Sequence, residues 1–212
     1  MERYFNFPKG AFEWGPTQKW HQQCFAVYPV MCSQADLFEN KWFQISKRNI
    51  AKLTGISESA VNFGINRIIE GEYNFYDQET GEIEPYLERE MVQEGIRRYY
   101  KYRVGFVRGD MMEGWYYFPF YHSIIELGIW ASLSYRVKIL YLAMRYSAFY
   151  DECLYKEIEG VDNYLTRQWE VCAKSLAQLC RLGNISDRNL TKPLIQLEKF
   201  RLINRFDRWI KV

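Results

Sequence analysis

The chain repeats one order of segments in its two halves, and this repeat restricts the folds open to it. Phe7–Gly15 reads FPKGAFEWG and Phe118–Gly128 reads FPFYHSIIELG, so both contain Phe-Pro, a spacer and an apolar-Glu-apolar-Gly ending. Further on, Ile50–Leu53 (IAKL) and Leu176–Leu179 (LAQL) match, and an Ile-Ser pair follows each. Because the matches keep the same order in both halves, we predict an internal duplication with a boundary near residue 115.

A segment with helical periodicity follows each Phe-Pro motif. The two segments read KWHQQCFAVYPVMC and SYRVKILYLAMRY. In the second, Val137, Leu140, Tyr141 and Met144 fall on one stripe, as in a helix with a buried face. In the first, we expect Pro29 to end or kink the helix, because proline has no amide hydrogen to donate.

The stretch IAKLTGISESAVNFGINRII has the pattern of a helix-turn-helix. Ala51 is small where a second helix crosses closely, Gly55 tolerates a positive φ, and Val61 returns an apolar side chain to the first helix. Ser57 is a favourable N-cap for the second helix. This pattern predicts the motif as a structure, and the same corner is also used by protein-binding domains.

A helical wheel separates a core face from an exposed face in the first copy. With Val61, Ile65 and Ile68 in the core, the opposite face is polar except for Phe63, which we expect to touch a thymine methyl or to pack on the wing or the other domain. Asn and Arg side chains bond bidentately to adenine and guanine edges. The candidate DNA contacts of this copy are Ser57, Ser59, Asn62, Phe63, Asn66 and Arg67.

The second copy has a longer turn and a more cationic exposed face. Leu190, Leu194 and Leu197 set its core register. Its candidate DNA contacts are Ser186, Arg188, Thr191, Lys192, Gln196 and Lys199. Two helix starts remain open. Either Ser186 caps the helix, which leaves Pro193 in its interior, or the helix begins at Thr191, which places the proline in the first turn and removes Arg188 from the helix.

Each helix-turn-helix is followed by segments that read as wings. After the first, YNFYDQETGEIE predicts a hairpin with its turn near Glu79–Gly81, and EPYLEREMVQEG predicts an acidic helix. RRYYKYRVGFVRG and WYYFPFY then predict a second hairpin, whose alternating cations suit phosphates unless they form only a solvated face. LINRFDRWIKV predicts a final hairpin. The wing candidates for DNA contact are Arg97, Arg98, Lys101, Arg103, Arg108, Arg205 and Arg208.

These patterns together predict the fold class. We expect a mainly α chain with small β-hairpins (α+β), built as two tandem winged helix-turn-helix domains. Domain 1 covers residues 1–114, with an acidic hairpin and helix insert at about 71–94, and domain 2 covers residues 115–212.

Several classes of function have no support in the sequence. There is no phosphate-binding glycine loop and no hydrolase or metalloprotease motif, so we expect no enzymatic activity, no catalytic residues, no cofactor and no metal. The five cysteines lack CxxC spacing, which favours reduced core thiols in a cytoplasmic protein. No apolar run is long enough to span a membrane, and the N-terminus lacks the apolar core of a secretory signal.

The order of these segments resembles the tandem winged-helix replication initiators of plasmids and mobile elements. FPFYHSIIELGIWASLSYRVKILYLAMRY is similar to the start of such domains, and NLTKPLIQLEKFRLI to their recognition helix and the strand after it. Phe200-Arg201 replaces the glycine usual before the last Leu-Ile, and the acidic insert has no counterpart in the family.

The resemblance implies binding of double-stranded DNA, with possible homodimers and host replication or transcription proteins as partners. Two alternatives remain open. The same scaffold also serves transcriptional regulators, and it serves winged helices that bind proteins without touching nucleic acid.

Overall fold

The computed structural model describes residues 3–13, 20–37, 42–70, 74–76, 83–105, 117–149, 171–205 and 210–211. These residues form helices and small antiparallel sheets, which confirms the predicted α+β class. The chain divides into two compact units, Met1–Tyr135 and Arg136–Val212. No helix within the described ranges is long and apolar enough to cross a lipid bilayer.

The first unit is organised around a buried helix. Its helices are α1 (Gly10–Glu13), α2 (Gln22–Leu37), α3 (Lys47–Thr54), α4 (Glu58–Glu70), α5 (His122–Glu126) and α6 (Ile129–Ser132). Its strands are β1 (Tyr4–Pro8), β2 (Phe43–Gln44), β3 (Asn74–Tyr76), β4 (Ile83–Pro85), β5 (Glu88–Glu94), β6 (Arg97–Arg103) and β7 (Tyr117–Tyr121). Helix α2 packs against β1, α3 and α4.

Helix α2 continues past the proline that was expected to stop it. Pro29 lies inside Gln22–Leu37, and the helix runs on for two further turns. Every residue from Cys24 to Cys32, Pro29 included, is buried, so this part of the helix has no exposed face. Because tertiary packing surrounds the helix, burial outweighs the hydrogen bond that proline removes. Of the two predicted effects of Pro29, an end or a kink, the end is therefore wrong.

The two Phe-Pro segments of the repeat pair with each other. Strands β1 and β7 are antiparallel, with Phe7 opposite Phe118 and Phe5 opposite Phe120. All four phenylalanine rings are buried, and the ring centroids of each facing pair lie 5.0 and 5.2 Å apart. This pairing holds β7 in the first unit, so the division between the units falls later than the predicted boundary at residues 114 and 115.

The second unit contains a shorter set of elements. Its helices are α7 (Tyr135–Ser147, whose first residue closes the first unit), α8 (Leu176–Gly183) and α9 (Thr191–Lys199). Its strands are β8 (Ala148–Phe149), β9 (Val171–Cys172), β10 (Asn204–Arg205) and β11 (Ile210–Lys211), which pair in the order β10-β11-β9-β8. The predicted stripe of α7 is buried, and burial extends around the helix to include Lys138 and Arg145.

The predicted hairpins have mixed outcomes. Strands β3 and β4 pair after the first motif, and β10 and β11 pair after the second, as predicted. Their turns, near Glu79–Gly81 and Phe206–Arg208, lie outside the described residues. The predicted core position of the cysteines is confirmed for Cys24, Cys32, Cys172 and Cys180, which are buried, while Cys153 lies outside the described residues.

Candidate nucleic-acid interface

The corner between α3 and α4 has the local geometry predicted for a helix-turn-helix. Ser46 Oγ accepts a bond from the Asn49 amide at 3.1 Å and begins α3. Gly55 ends that helix with φ 70°, in the left-handed region. Ser57 Oγ accepts from the Ala60 amide at 3.2 Å, as an N-cap does. The turn and both helix starts are therefore fixed by local hydrogen bonds.

The core register predicted for α4 is confirmed. Val61, Ile65 and Ile68 are fully buried. On the other side, Ser59, Phe63 and Arg67 are exposed, and Asn62 and Asn66 are half-buried. Period-3.6 spacing was enough to separate the two faces, because the apolar positions all lie on the side that packs against α2.

Asn66 is engaged by another element. Arg89 of β5 donates from Nη1 to Asn66 Oδ1 at 2.9 Å. The same guanidinium lies over the ring of Tyr100, 4.8 Å from its centroid, and Lys47 Nζ lies 5.8 Å from that centroid. An asparagine that reads adenine uses both its oxygen and its nitrogen. The Arg89 bond occupies one of the two lone pairs of Asn66 Oδ1 and restrains the orientation of the amide that would face a base.

Phe63 and Arg67 both meet the residue that precedes α2. The ring of His21 packs edge-on against Phe63, with centroids 5.4 Å apart, and His21 Nε2 lies 3.1 Å from Arg67 Nη2. Phe63 was expected to pack on the wing or the other domain, and its described ring contact is instead with His21. This contact could not be read from the sequence, because it joins positions that are far apart in the chain.

The acidic segment after the first motif is a strand and not a helix. Strand β5 pairs with β6 over seven residues, from Glu88 opposite Arg103 to Glu94 opposite Arg97. Strand β6 also pairs with β2, and β7 pairs with β1. The predicted acidic helix and the predicted β6–β7 hairpin were both wrong. We refer to the β5–β6 hairpin as the wing, and the last seven residues of the supposed insert, Glu88–Glu94, form its first strand.

One face of this hairpin is charge-compensated. Arg103 donates to Glu88 from Nε at 3.0 Å and from Nη2 at 2.7 Å. The register places Lys101 opposite Glu90 and Arg97 opposite Glu94. The row of cations predicted along β6 does exist, with buried Tyr102 on the opposite side, but each cation faces a glutamate. A balanced face of this kind gives little attraction to phosphates.

The carboxylate of Glu94 has a further partner near the turn of the hairpin. Tyr99 donates its hydroxyl to Glu94 Oε1 at 2.6 Å. This bond raises the pKa of Tyr99, because the nearby carboxylate favours the protonated phenol. Arg98, on the other face of β6, is exposed and stands opposite the neutral Gln93.

The second copy follows the later of the two predicted helix starts. Helix α9 begins at Thr191, and Pro193 lies in its first turn. Ser186 is therefore not the cap of α9, and its Oγ accepts from the Arg188 amide at 3.2 Å within the loop. Arg188 lies outside the helix, as the second of the two predicted alternatives required, so it is not on the exposed face of α9. Leu190, Leu194 and Leu197 are buried as predicted.

The loop that leads into α9 is held by a residue that the sequence did not single out. Arg136 of α7 donates from Nη2 to the Ser186 carbonyl at 2.7 Å and to the Arg188 carbonyl. Two carbonyls bound by one guanidinium fix the path of the loop. Arg136 therefore helps to set the direction in which α9 starts.

The described residues from 171 to 205 carry a surplus of exposed positive charge. The exposed cations are Lys174, Arg181, Arg188, Lys192, Lys199, Arg201 and Arg205. Against these seven stand two acids, Asp187 and Glu198. Glu198 accepts two bonds from Arg205, at 2.7 and 2.8 Å, which lower the pKa of the carboxyl and raise that of the guanidinium. Arg205 is thus paired, whereas the cations on α9 itself are turned to solvent.

The exposed face of α9 agrees with the prediction for the second copy. Thr191, Lys192 and Lys199 are exposed, and Gln196 is half-buried. Ile195, in the middle of this face, is 53% exposed. Sequence reasoning missed Lys174, Arg181 and Arg201, although a count of charges over the whole second motif would have included them. Arg108 and Arg208 lie outside the described residues.

Other kinds of site find no support in this part of the chain. Within the described ranges, no three His, Cys, Asp or Glu side chains lie close enough to hold a metal ion. Cys24 lies against the carbonyl of Gly64, and burial raises its pKa to about 12, so its thiol remains protonated and unreactive at neutral pH.

Comparison with known proteins gave no match: no protein-family model, no curated protein and no solved structure resembles the chain significantly.

Proposed function

We propose that this chain binds double-stranded DNA through its two helix-turn-helix units, with the second unit supplying most of the affinity. The observation that carries the proposal is the surplus of exposed cations around α9. Lys192 and Lys199 lie on the helix, and Arg188 and Arg201 lie on the segments that flank it in sequence. Basic surfaces release counterions from the DNA backbone when they bind, and this release supplies the sequence-independent part of the affinity.

The first unit supports a smaller share of the affinity. Asn66 is bonded to Arg89, and Arg103 is bonded to Glu88. These side chains already have protein partners that restrain them and, for Arg103, offset its charge, whereas Lys192 and Lys199 are exposed to solvent. The two units are therefore proposed to differ in role, with α9 in the major groove as the principal contact.

The replication-initiator part of the proposal is supported by the order of the motifs, which resembles that of initiators of plasmids and mobile elements. It predicts preference for iterated direct repeats over a single inverted repeat. Selection of bound sequences from a random library, followed by binding to one, two and three copies of the selected site, tests this part separately from DNA binding itself.

The central test compares two double variants that each remove two positive charges. Lys192→Ala with Lys199→Ala changes the exposed face of α9, and Lys101→Ala with Arg103→Ala changes the compensated face of the wing. Fluorescence anisotropy on a 30-base-pair duplex across a salt series gives the slope of log K against log salt. We expect the α9 variant to reduce the slope by about 1.8, at about 0.9 per phosphate contact, and the wing variant to change it little.

An equal reduction of the salt slope in the two variants would show that the second unit does not supply most of the affinity. An absence of wild-type binding at low salt would reject DNA binding altogether. In that event the protein-interaction alternative gains support from the exposed apolar side chains of the first unit, Ile96, Leu127 and Met91, which are 101%, 74% and 58% exposed.

A further inference from the structure

The tip of the β5–β6 hairpin carries the most exposed apolar side chain in the described residues. Glu94 and Arg97 form the last pair, so Gly95 and Ile96 make a two-residue loop. Gly95 has φ 61°, a backbone conformation that suits glycine at the first position of such a loop. Ile96 is 101% exposed. Folding of this unit does not remove the Ile96 side chain from water, so Ile96 contributes no hydrophobic stabilisation to the fold.

The two faces of the hairpin differ in charge, and the tip lies beside a cationic face. The three glutamates of β5 all lie on the compensated face. The opposite face carries Arg89, Met91 and Gln93 from β5, with Arg98, Tyr100 and Tyr102 from β6, and it has no acidic residue. Met91 and Tyr100 are 58% and 36% exposed, so cations and apolar groups alternate there.

The same face is turned toward α4. Arg89 reaches across to Asn66 and also covers the ring of Tyr100. These contacts tie the base of the hairpin to the helix, while its free half extends beyond them. Seven paired residues span about 20 Å at roughly 3.3 Å per residue, which is enough to cross one phosphate backbone from a helix in the major groove.

We propose that Ile96 is a wedge that enters the minor groove of double-stranded DNA and opens a base step, with Arg97 and Arg98 on the phosphates at either side. This inference rests on the proposed function and adds to it that the first unit bends DNA. Apolar side chains inserted between base pairs unstack the step and kink the duplex, and flanking arginines are favoured by the negative potential of the minor groove.

The choice of DNA over a protein partner follows from the charge around the tip. Arg97 and Arg98 come directly after Ile96, and Glu94, which faces Arg97, is the one acid beside the loop, so the tip keeps an excess of one positive charge. A polyanion is therefore the partner that matches the tip. Ile96 is the one exposed apolar side chain of the two-residue loop itself, which is enough for a base step and small for a protein interface.

The experiment compares Ile96→Ser with Leu127→Ser on two duplexes. Leu127 is a matched control, because it is 74% exposed beside a left-handed glycine, Gly128, in the same unit. One duplex is an intact 30-mer with dyes at both ends, so that energy transfer reports bending. The other has the same ends and a two-base bulge at its centre, so that it is already kinked. Affinity and energy transfer are measured for wild type and both variants.

We expect wild type to raise energy transfer on the intact duplex. Ile96→Ser should abolish that rise and bind the intact duplex about tenfold more weakly, which is the order expected for one isoleucine side chain taken from water. On the bulged duplex its affinity should return to that of wild type, because the unstacking has already been done. Leu127→Ser should show the affinity and the energy transfer of wild type on both duplexes.

Three outcomes would overturn the wedge. They are wild-type binding without bending, equal behaviour of Ile96→Ser and wild type on the intact duplex, and a loss for Ile96→Ser that the bulge does not restore. If DNA binding still depends on Lys192 and Lys199 in any of these three outcomes, the proposed function is retained and only the wedge is rejected. A wild-type chain that binds neither duplex rejects both proposals.

Discussion

At the scale of single residues, Gly55 shows two separate reasons for glycine at one position. Its φ of 70° is unfavourable for residues with a Cβ, and a Cβ built there would lie 1.9 Å from the carbonyl oxygen of Ala131. The sequence predicted the first reason, because a helix-turn-helix needs a positive φ in its turn. The second reason is a tertiary contact with α6, which no local pattern contains.

Gly55→Ala should therefore destabilise the first unit much more than a positive φ alone would. Gly128→Ala is the control, because Gly128 has φ 71° and open space around it. We expect Gly128→Ala to cost about 1–2 kcal/mol and Gly55→Ala more than about 3 kcal/mol, as measured by urea denaturation. An equal loss of stability in the two variants would mean that α6 shifts to accommodate the new methyl group at little energetic cost.

Lys138 supplies a prediction about pH. Its side chain is buried in α7, and desolvation lowers its pKa from the usual 10.5 to about 8. Below pH 8 the lysine is charged in both the folded and the unfolded state, and folding must bury that charge. Between pH 8 and 10.5 the unfolded state binds more protons, so the contribution of Lys138 to stability rises with pH.

Lys138→Met should therefore raise the free energy of unfolding relative to wild type at pH 7, and the difference should shrink as pH approaches 10.5. The full change across this window is at most about 3 kcal/mol. Denaturation of both proteins at several pH values measures it, and the comparison cancels the titration of other groups. A difference that stays constant with pH would contradict the lowered pKa.

At the scale of elements, helices were predicted more successfully than strands. Helix α4 could be read from its cap at Ser57 and its core spacing, because both signals are local. The start of α9 was one of two predicted alternatives, and the constraint of Pro193 decides in favour of Thr191. Strand β5 was missed because its glutamates were read as a solvated helix, whereas their alternate spacing is that of a strand facing the cations of β6.

The site could be predicted only as far as its faces. Spacing gave the exposed side of α4 and α9, but it could not show that Asn66 is bonded to Arg89 or that Arg136 holds the loop before α9. Each of these bonds joins residues that are distant in sequence. Residue types identified candidate contacts, and tertiary structure decided which of them already have partners.

The glutamates of β5 lead to a prediction for the wing as an element. Glu88→Gln with Glu90→Gln removes two negative charges that face Arg103 and Lys101. We expect tighter binding to DNA and a steeper salt dependence, because the two cations become available to phosphates. Glu58→Gln with Glu70→Gln, two exposed positions on α4, is the control for a general change in net charge. If both pairs of substitutions strengthen DNA binding equally, the effect comes from net charge and not from the release of Arg103 and Lys101.

At the scale of the whole molecule, the first unit is joined by strands from distant parts of the chain. Phe7 is fully buried between Tyr28 and Phe118, whereas Tyr4 on the same strand is 50% exposed. Phe7→Ala should cost about 3–5 kcal/mol and Tyr4→Ala much less. The distinctive result is expected far away in sequence: amide exchange in Tyr117–Tyr121 should speed up in Phe7→Ala. Unchanged exchange in that strand would show that β7 is held without β1.

The pairing of β1 with β7 also affects how the chain is made. A ribosome releases Tyr4–Pro8 long before Tyr117–Tyr121, and at about 5–20 residues per second the delay is on the order of ten seconds. Phe5 and Phe7 remain without their partner strand throughout that interval. The first unit therefore cannot finish folding until more than half of the chain has been synthesised, and its early strand must be kept from aggregating in the meantime.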